Sequence, residues 1–123
     1  MVLNVCVPPL EDQERQSRLD QVLSCGLACR EVRVVRRAEE LELRPGGRLL
    51  FALALDGAGQ NSEYQRMLAR LRLEPGLLEG CTGGLIVDGP GELYTKSTAA
   101  ELALAMNSAG CAPVSYTHLR AHE

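Results

Sequence analysis

The sequence is poor in aromatic residues, and this limits what its core can contain. Its 123 residues include one phenylalanine, three tyrosines and no tryptophan. Because 46% of the residues are nevertheless hydrophobic, we expect a core built mainly from leucine, valine and alanine. A charged share of 24% is ordinary for a globular protein. The length allows one small domain.

Signals for two classes of partner are also lacking. The net charge of −3 gives no electrostatic footprint for nucleic acid. No apolar run approaches the roughly 20 residues that a transmembrane helix needs. The first residues carry no basic segment of the kind that opens a secretory signal peptide. We therefore expect a cytoplasmic protein that binds neither nucleic acid nor membranes.

Cysteine is present in an odd number, without the spacing of a metal or disulfide framework. There are five cysteines and no C-x-x-C motif. Cys25 and Cys29 could pair or bind a metal, but no second ligand pair accompanies them. The sequence therefore predicts free thiols in a reducing compartment, and no metal site.

Histidine occurs only near the end of the chain, at His118 and His122. The spacing H-x-x-x-H by itself would suggest a metal ligand pair or a catalytic base. The surrounding string, PVSYTHLRAHE at residues 113–123, resembles the translation of a transposase mosaic-end sequencing adapter followed by its index primer. This resemblance implies a non-native, adapter-encoded tail, and we exclude it from the fold. The domain is then residues 1–112, which contain no histidine.

The most informative stretch lies between residues 78 and 110. Residues 84–87, with β-branched Ile86 and Val87 between glycines, are typical of a strand buried on both faces. The string DGPG at residues 88–91 predicts a turn. From about residue 96, apolar residues recur at helical spacing until Gly110, which suits a helix C-terminus.

The earlier elements can be placed in the same way. Residues 2–7 predict a valine-rich strand that ends at two prolines. Residues 11–24 predict a surface helix. Residues 31–37 alternate apolar and basic side chains, as an edge strand does, and residues 38–43 predict a short helical turn.

Residues 48–55, RLLFALAL, form the longest apolar run and predict the central strand. A loop of small and polar residues follows, and Ser62 can cap the next helix. Tyr64, Met67, Leu68 and Leu71 share one face of that helix. The order β-α-β-(α)-β-α-β-α predicts a parallel sheet with helices on both faces.

Residues 48–110 resemble the flavodoxin-like group that includes NADPH-dependent FMN reductases and related quinone reductases. The corresponding parts are RLLFALAL, DGAGQN, SEYQRMLARL, LLEG, GGLIVDG, PGEL and YTKSTAAELALAMNSAG. The resemblance implies an α/β three-layer sandwich with strand order 2-1-3-4-5. Because residues 113–123 begin where a fifth strand should form, we expect a truncated sheet of order 2-1-3-4. The fifth strand and the last helix would be missing, and the fourth strand would be an exposed edge.

The resemblance also implies a function. It points to an oxidoreductase that binds FMN and uses NAD(P)H to reduce flavin, a quinone or a similar small electron acceptor, with a homodimer as the implied assembly. No catalytic residue and no metal ligand can be assigned. The candidate cofactor-binding residues are Asp56, Gly57, Ala58, Gly59, Gln60, Asn61, Asp88, Gly89, Pro90, Gly91, Glu92, Leu93 and Tyr94.

One loop departs from the family pattern and keeps a second hypothesis open. The family binds the FMN phosphate in a loop rich in Ser, Thr and Gly after the first strand. Here that loop reads PPLEDQERQS, in which two prolines remove donors and three carboxylates add negative charge. This favours a degenerate flavodoxin-like module without cofactor, acting in protein interaction.

The two candidate loops also have plainer interpretations. Asp56 and Asp88 could be ordinary turn residues, and Tyr94 a packing residue. A dinucleotide-binding turn is weaker, because neither Gly57-Ala58-Gly59 nor Gly89-Pro90-Gly91 completes G-x-G-x-x-G.

Overall fold

The computed structural model describes residues 3–10, 31–56, 61–89, 91–112 and 114–120, with the backbone alone for Glu92 and for residues 116–120. Five strands occur in these ranges. They are β1 (Leu3–Cys6), β2 (Val32–Val35), β3 (Arg48–Ala54), β4 (Thr82–Gly89) and β5 (Val114–Arg120). The other described elements are a 3-10 turn (Ala38–Glu40) and the helices α1 (Ser62–Leu73) and α2 (Glu92–Ser108).

The strands form one parallel sheet in the order β2-β1-β3-β4-β5. This confirms the predicted α/β flavodoxin-like architecture and the order of its first four strands. The expected absence of a fifth strand is wrong, because β5 pairs with β4 from Gly83 to Gly89. The free edge of β4 offers a row of backbone donors and acceptors, and a segment rich in Val, Tyr and Thr satisfies them.

The tail therefore takes part in the sheet, whatever its origin. Its resemblance to an adapter sequence stays a prediction, since strand pairing depends on backbone groups that any sequence carries. Residues 121–123, which follow β5, lie outside the described residues. The helix predicted for residues 11–24 lies outside them as well.

β4 and α2 are both longer than the sequence predicted. β4 begins at Thr82, because glycine is no obstacle to a ladder that is paired on both sides. An added Cβ at Gly83 would press on Met106 and Cys111, so this glycine lets α2 pack closely on the sheet. α2 begins at Glu92, with Gly91 in extended conformation as its N-cap.

The main core lies between the sheet and the two helices. Phe51 of β3 and Tyr64 of α1 meet edge to face, with ring centroids 6.3 Å apart. The predicted apolar face of α1 is confirmed, since Tyr64, Met67, Leu68 and Leu71 are all buried. The opposite face of the sheet carries a second buried cluster, formed by Val5, Val7, Ala52 and Ala54.

The connection between β2 and β3 is short, and α1 holds it in place. The Glu63 carboxylate, 6% exposed, accepts a hydrogen bond of 2.8 Å from the Ala38 N–H. Arg70 donates one of 2.6 Å to the Ala38 carbonyl. Arg37 and Arg66 lie 3.6 and 3.5 Å from the same carboxylate. One residue of the 3-10 turn is thereby tied to both ends of α1.

The three described cysteines, Cys6, Cys81 and Cys111, are free and buried. Burial raises the pKa of the Cys111 thiol to about 11, and it raises the pKa of Cys6 still further. Cys25 and Cys29 lie outside the described residues. In the part of the chain that the structure describes, no helix is both long and apolar enough to cross a membrane.

Candidate functional site

The carboxyl ends of β1, β3 and β4 meet at one edge of the sheet. β1 pairs with β2 on one side and with β3 on the other. Because β1 is followed by β2 and β3 by β4, the chain leaves β1 and β3 in opposite directions across the sheet. In open α/β sheets, ligands bind in the crevice at such a switch point. We call this place the switch-point crevice; its described residues are 7–10, 55, 56 and 61.

Asn61 lies at the base of this crevice and is only 2% exposed. Its Nδ2 donates to the carbonyl oxygen of Pro8 at 3.2 Å and to that of Ala54 at 2.8 Å. Its Oδ1 accepts from the Tyr64 N–H at 3.1 Å, which makes Asn61 the N-cap of α1. One side chain thus joins the end of β1, the end of β3 and the start of α1.

This role corrects one expectation. Ser62, predicted as the cap, is the first residue of the helix instead. An amide carries both an acceptor and two donors, whereas a hydroxyl has a single hydrogen to donate. Asn61 can therefore cap the helix and bind two carbonyls at once. Because both amide hydrogens are used in this way and Oδ1 accepts the Tyr64 N–H, the predicted cofactor contact of Asn61 has only the second lone pair of Oδ1 left.

The carboxyl ends of β3 and β4 lie side by side. The Leu55 N–H donates to the Asp88 carbonyl oxygen at 2.9 Å, which joins the two strand ends. Asp88 is fully buried, while Asp56 is half-buried. Gly57, Ala58, Gly59 and Gln60 lie outside the described residues, so only the two ends of the first loop are placed.

The turn after β4 is pinned to the first turn of α2 by Thr95. Its hydroxyl donates to the Gly91 carbonyl at 2.6 Å, and its N–H donates to the same oxygen at 2.9 Å. An added Cβ at Gly89 would collide with the Thr95 hydroxyl and press on Leu55. Thr95, at 1% exposure, was not among the residues that the sequence singled out. The sequence held one signal for Thr95. It is a polar residue at a position where the helical spacing of α2 predicts an apolar one.

The remaining candidate residues lie at the start of α2. Nothing lies within 4 Å of the position that a Cβ at Gly91 would take, so there is open space above this glycine. Leu93 is 84% and Tyr94 49% exposed. Pro90 lies outside the described residues, and Glu92 is described only by its backbone. The structure thus brings Asp56 and Asn61 to the same sheet edge as the described part of residues 88–94.

Tyr94 is half-exposed, and its side chain lies near α1. Its neighbour there is Tyr64, the buried tyrosine of α1. The pKa of Tyr64 is raised by burial, by its 2.8 Å hydrogen bond to Glu101 and by the nearby Tyr94. Tyr94 is 49% exposed, so part of its aromatic surface remains accessible in the first turn of α2.

Solved structures with the same fold include flavodoxins. A cysteine-to-alanine mutant of a flavodoxin from Pseudomonas aeruginosa superposes with a TM-score of 0.67 at 18% identity, covering 100% of this chain and 86% of the other. Flavodoxin 2 from Bacillus cereus, in its oxidised form, gives 0.62 at 15% identity, with 100% and 88% covered. A short-chain flavodoxin associated with a non-canonical PDU bacterial microcompartment gives 0.60 at 14% identity, with 100% and 87% covered.

Two further comparisons find nothing. No family model matches the sequence, and no curated protein is detectably similar to it. At these identities the structural likeness establishes the fold alone.

Proposed function

We propose that the chain is an FMN-binding, flavodoxin-like oxidoreductase domain. The observation that carries this proposal is the topological switch point between the carboxyl ends of β1 and β3. In sheets of order 2-1-3-4-5, flavodoxins hold FMN at this switch point. The fold neighbours being flavodoxins supports the same assignment.

The described residues fit a flat, polar ring system. Open space at Gly91 gives a ring room to approach the backbone. In the first turn of α2, which follows Gly91, Tyr94 is half-exposed and could offer an aromatic face, and Leu93 adds exposed apolar surface. The Asn61 amide donates hydrogen bonds to the Pro8 and Ala54 carbonyl oxygens. These oxygens therefore have a donor already and would repel the carbonyl oxygens of a ring less strongly.

FMN, when bound, supplies the hydride and electron chemistry. The chain would contribute position and polarity. The Asp88 carbonyl and the Thr95 hydroxyl hold the backbone on either side of a turn that would lie near the ring, and Tyr94 would cover one face and exclude water. The finer part of the proposal is NAD(P)H-dependent reduction of flavin, a quinone or a similar acceptor, by a cytoplasmic homodimer.

The proposal is tested by titrating FMN with the full chain and following the quenching of flavin fluorescence. We expect Tyr94→Ala to weaken binding, because an aromatic pair adds about 0.5–1.5 kcal/mol, or roughly two- to tenfold in Kd. Leu104→Ala is the matched control. It removes an exposed leucine, 67% accessible, from the same helix more than two turns away. A folded chain that leaves flavin fluorescence unchanged would overturn the proposal.

A second candidate function is a cofactor-free interaction module. It is favoured by the loop after β1, where Pro8 is buried and Pro9 exposed, and neither has an N–H for a phosphate. Colour separates the two functions in a single step. A flavoprotein purifies yellow, whereas the module would be colourless and would bind neither FMN nor riboflavin.

A further inference from the structure

Asn61 joins the backbone just after β1 to the backbone at the end of β3, at the switch-point crevice. The carbonyl oxygens that it binds, those of Pro8 and Ala54, belong to segments 46 residues apart in sequence and to different strand ends. Both bonds come from one nitrogen, at 3.2 and 2.8 Å, so the separation of the two oxygens is limited by the reach of a single amide. This side chain therefore limits how far apart the backbone at Pro8 and the backbone at Ala54 can lie.

The same side chain also fixes the start of α1. Its oxygen accepts the Tyr64 N–H at 3.1 Å, and its own backbone carbonyl accepts the Gln65 N–H at 3.2 Å. A shift of either loop would have to carry the first turn of the helix with it. Because Asn61 is 2% exposed, solvent cannot easily replace these bonds.

We infer that Asn61 is a positioning residue for the flavin site. It holds the backbone at Pro8 and at Ala54, at the ends of β1 and β3, at the spacing that the ligand requires, and its amide hydrogens do not touch the ligand. This inference rests on the proposed function. It differs from a contact role, since the binding energy that Asn61 controls would come from the preorganisation of the loops on either side.

Two substitutions separate the crevice bonds from the helix cap. Asn61→Asp keeps the shape of the side chain and the oxygen that accepts from the Tyr64 N–H. It replaces Nδ2, the donor shared by the two carbonyls, with an oxygen that repels them. Asn61→Ser also keeps a capping oxygen and removes the bridge without adding charge. Tyr64→Phe is the control, because it removes a buried hydrogen bond to Glu101 from the same helix and leaves the crevice intact.

The experiment uses the full chain and two readouts, the Kd for FMN and the visible absorption spectrum of the bound flavin at saturation. We expect both Asn61 variants to weaken FMN binding by about tenfold or more. Their bound spectra should also differ from the wild type, because the ring would sit in an altered environment. Tyr64→Phe should lower the melting temperature but keep the wild-type spectrum and a Kd within about twofold.

Each outcome has a distinct meaning. If the folded Asn61→Ser chain binds FMN with wild-type affinity and spectrum, the positioning role is refuted and Asn61 is a structural cap only. If all three variants weaken binding in proportion to their loss of stability, the positioning role is likewise refuted. If the wild-type chain itself does not bind FMN, the proposed function fails first. Thermal melts of each variant establish which chains are folded.

Discussion

Replacing Gly89 with alanine should distort the turn after β4, and the structure indicates where the clash falls. The new methyl group would overlap the Thr95 hydroxyl and lie 3.2 Å from Leu55 Cδ1. The leucine methyl can move, but the hydroxyl is held at 2.6 Å from the Gly91 carbonyl. We expect Gly89→Ala to lower the free energy of unfolding by about 1–3 kcal/mol, the usual cost of overpacking.

The reasoning is tested by a double-mutant cycle with Thr95→Ala. That second change removes the hydrogen bond to Gly91, at about 1 kcal/mol, but also empties the space that the new methyl needs. The double variant should therefore lose less free energy of unfolding than the sum of the two single losses, by about 0.5–3 kcal/mol. Urea unfolding of the four chains gives all the values. Additivity within about 0.5 kcal/mol would show that Gly89 and Thr95 are not in steric contact and would refute the argument.

Two further predictions concern the core and its thiols. Glu63→Ala should lower the free energy of unfolding by about 1–3 kcal/mol, measured in urea, because the Ala38 N–H loses its acceptor. A loss below about 0.5 kcal/mol would contradict the role of α1 in holding the 3-10 turn. The pKa of Cys111 is raised from its ordinary 9.0 to about 11 by burial, so the folded state favours the neutral thiol. Its contribution to stability is fully present below pH 9 and is lost as the pH rises towards 11. Urea midpoints should therefore fall over that range in the wild type and fall less in Cys111→Ala, and identical slopes would contradict the prediction.

The sheet could be predicted because its signals are local. Residues 48–55 form a continuous apolar run, and the glycine-rich breaks at residues 56–61 and 88–91 mark where strands end. Alternation of strand and helix then leaves a parallel sheet as the natural solution. The apolar face of α1 follows from its spacing alone, and the structure buries it as expected.

The fifth strand could not be predicted in the same way. The resemblance of residues 113–123 to an adapter sequence concerns the origin of the segment, whereas strand pairing depends on the free edge beside it. β4 presents that edge from Gly83 to Gly89, and β5 (Val114–Arg120) pairs along it. The resemblance therefore concerns the origin of the segment and does not decide whether the segment forms a strand.

The roles of Asn61 and Thr95 were also beyond the reach of the sequence. The bond from Asn61 to Pro8 spans 53 positions, so it exists only once β1 and β3 are adjacent. Thr95 matters because its hydroxyl fills the space that a side chain at Gly89 would need. No local pattern in the sequence reveals this contact. Both residues position neighbouring backbone, and such roles become visible only in three dimensions.

The most direct test of the central claim is a crystal structure of the full chain with FMN. The account predicts that the flavin lies in the crevice between the carboxyl ends of β1 and β3, beside Tyr94 and the open space at Gly91, with the Asn61 amide still bound to Pro8 and Ala54. Flavin density at another surface, or none in crystals grown with FMN well above the Kd, would contradict it.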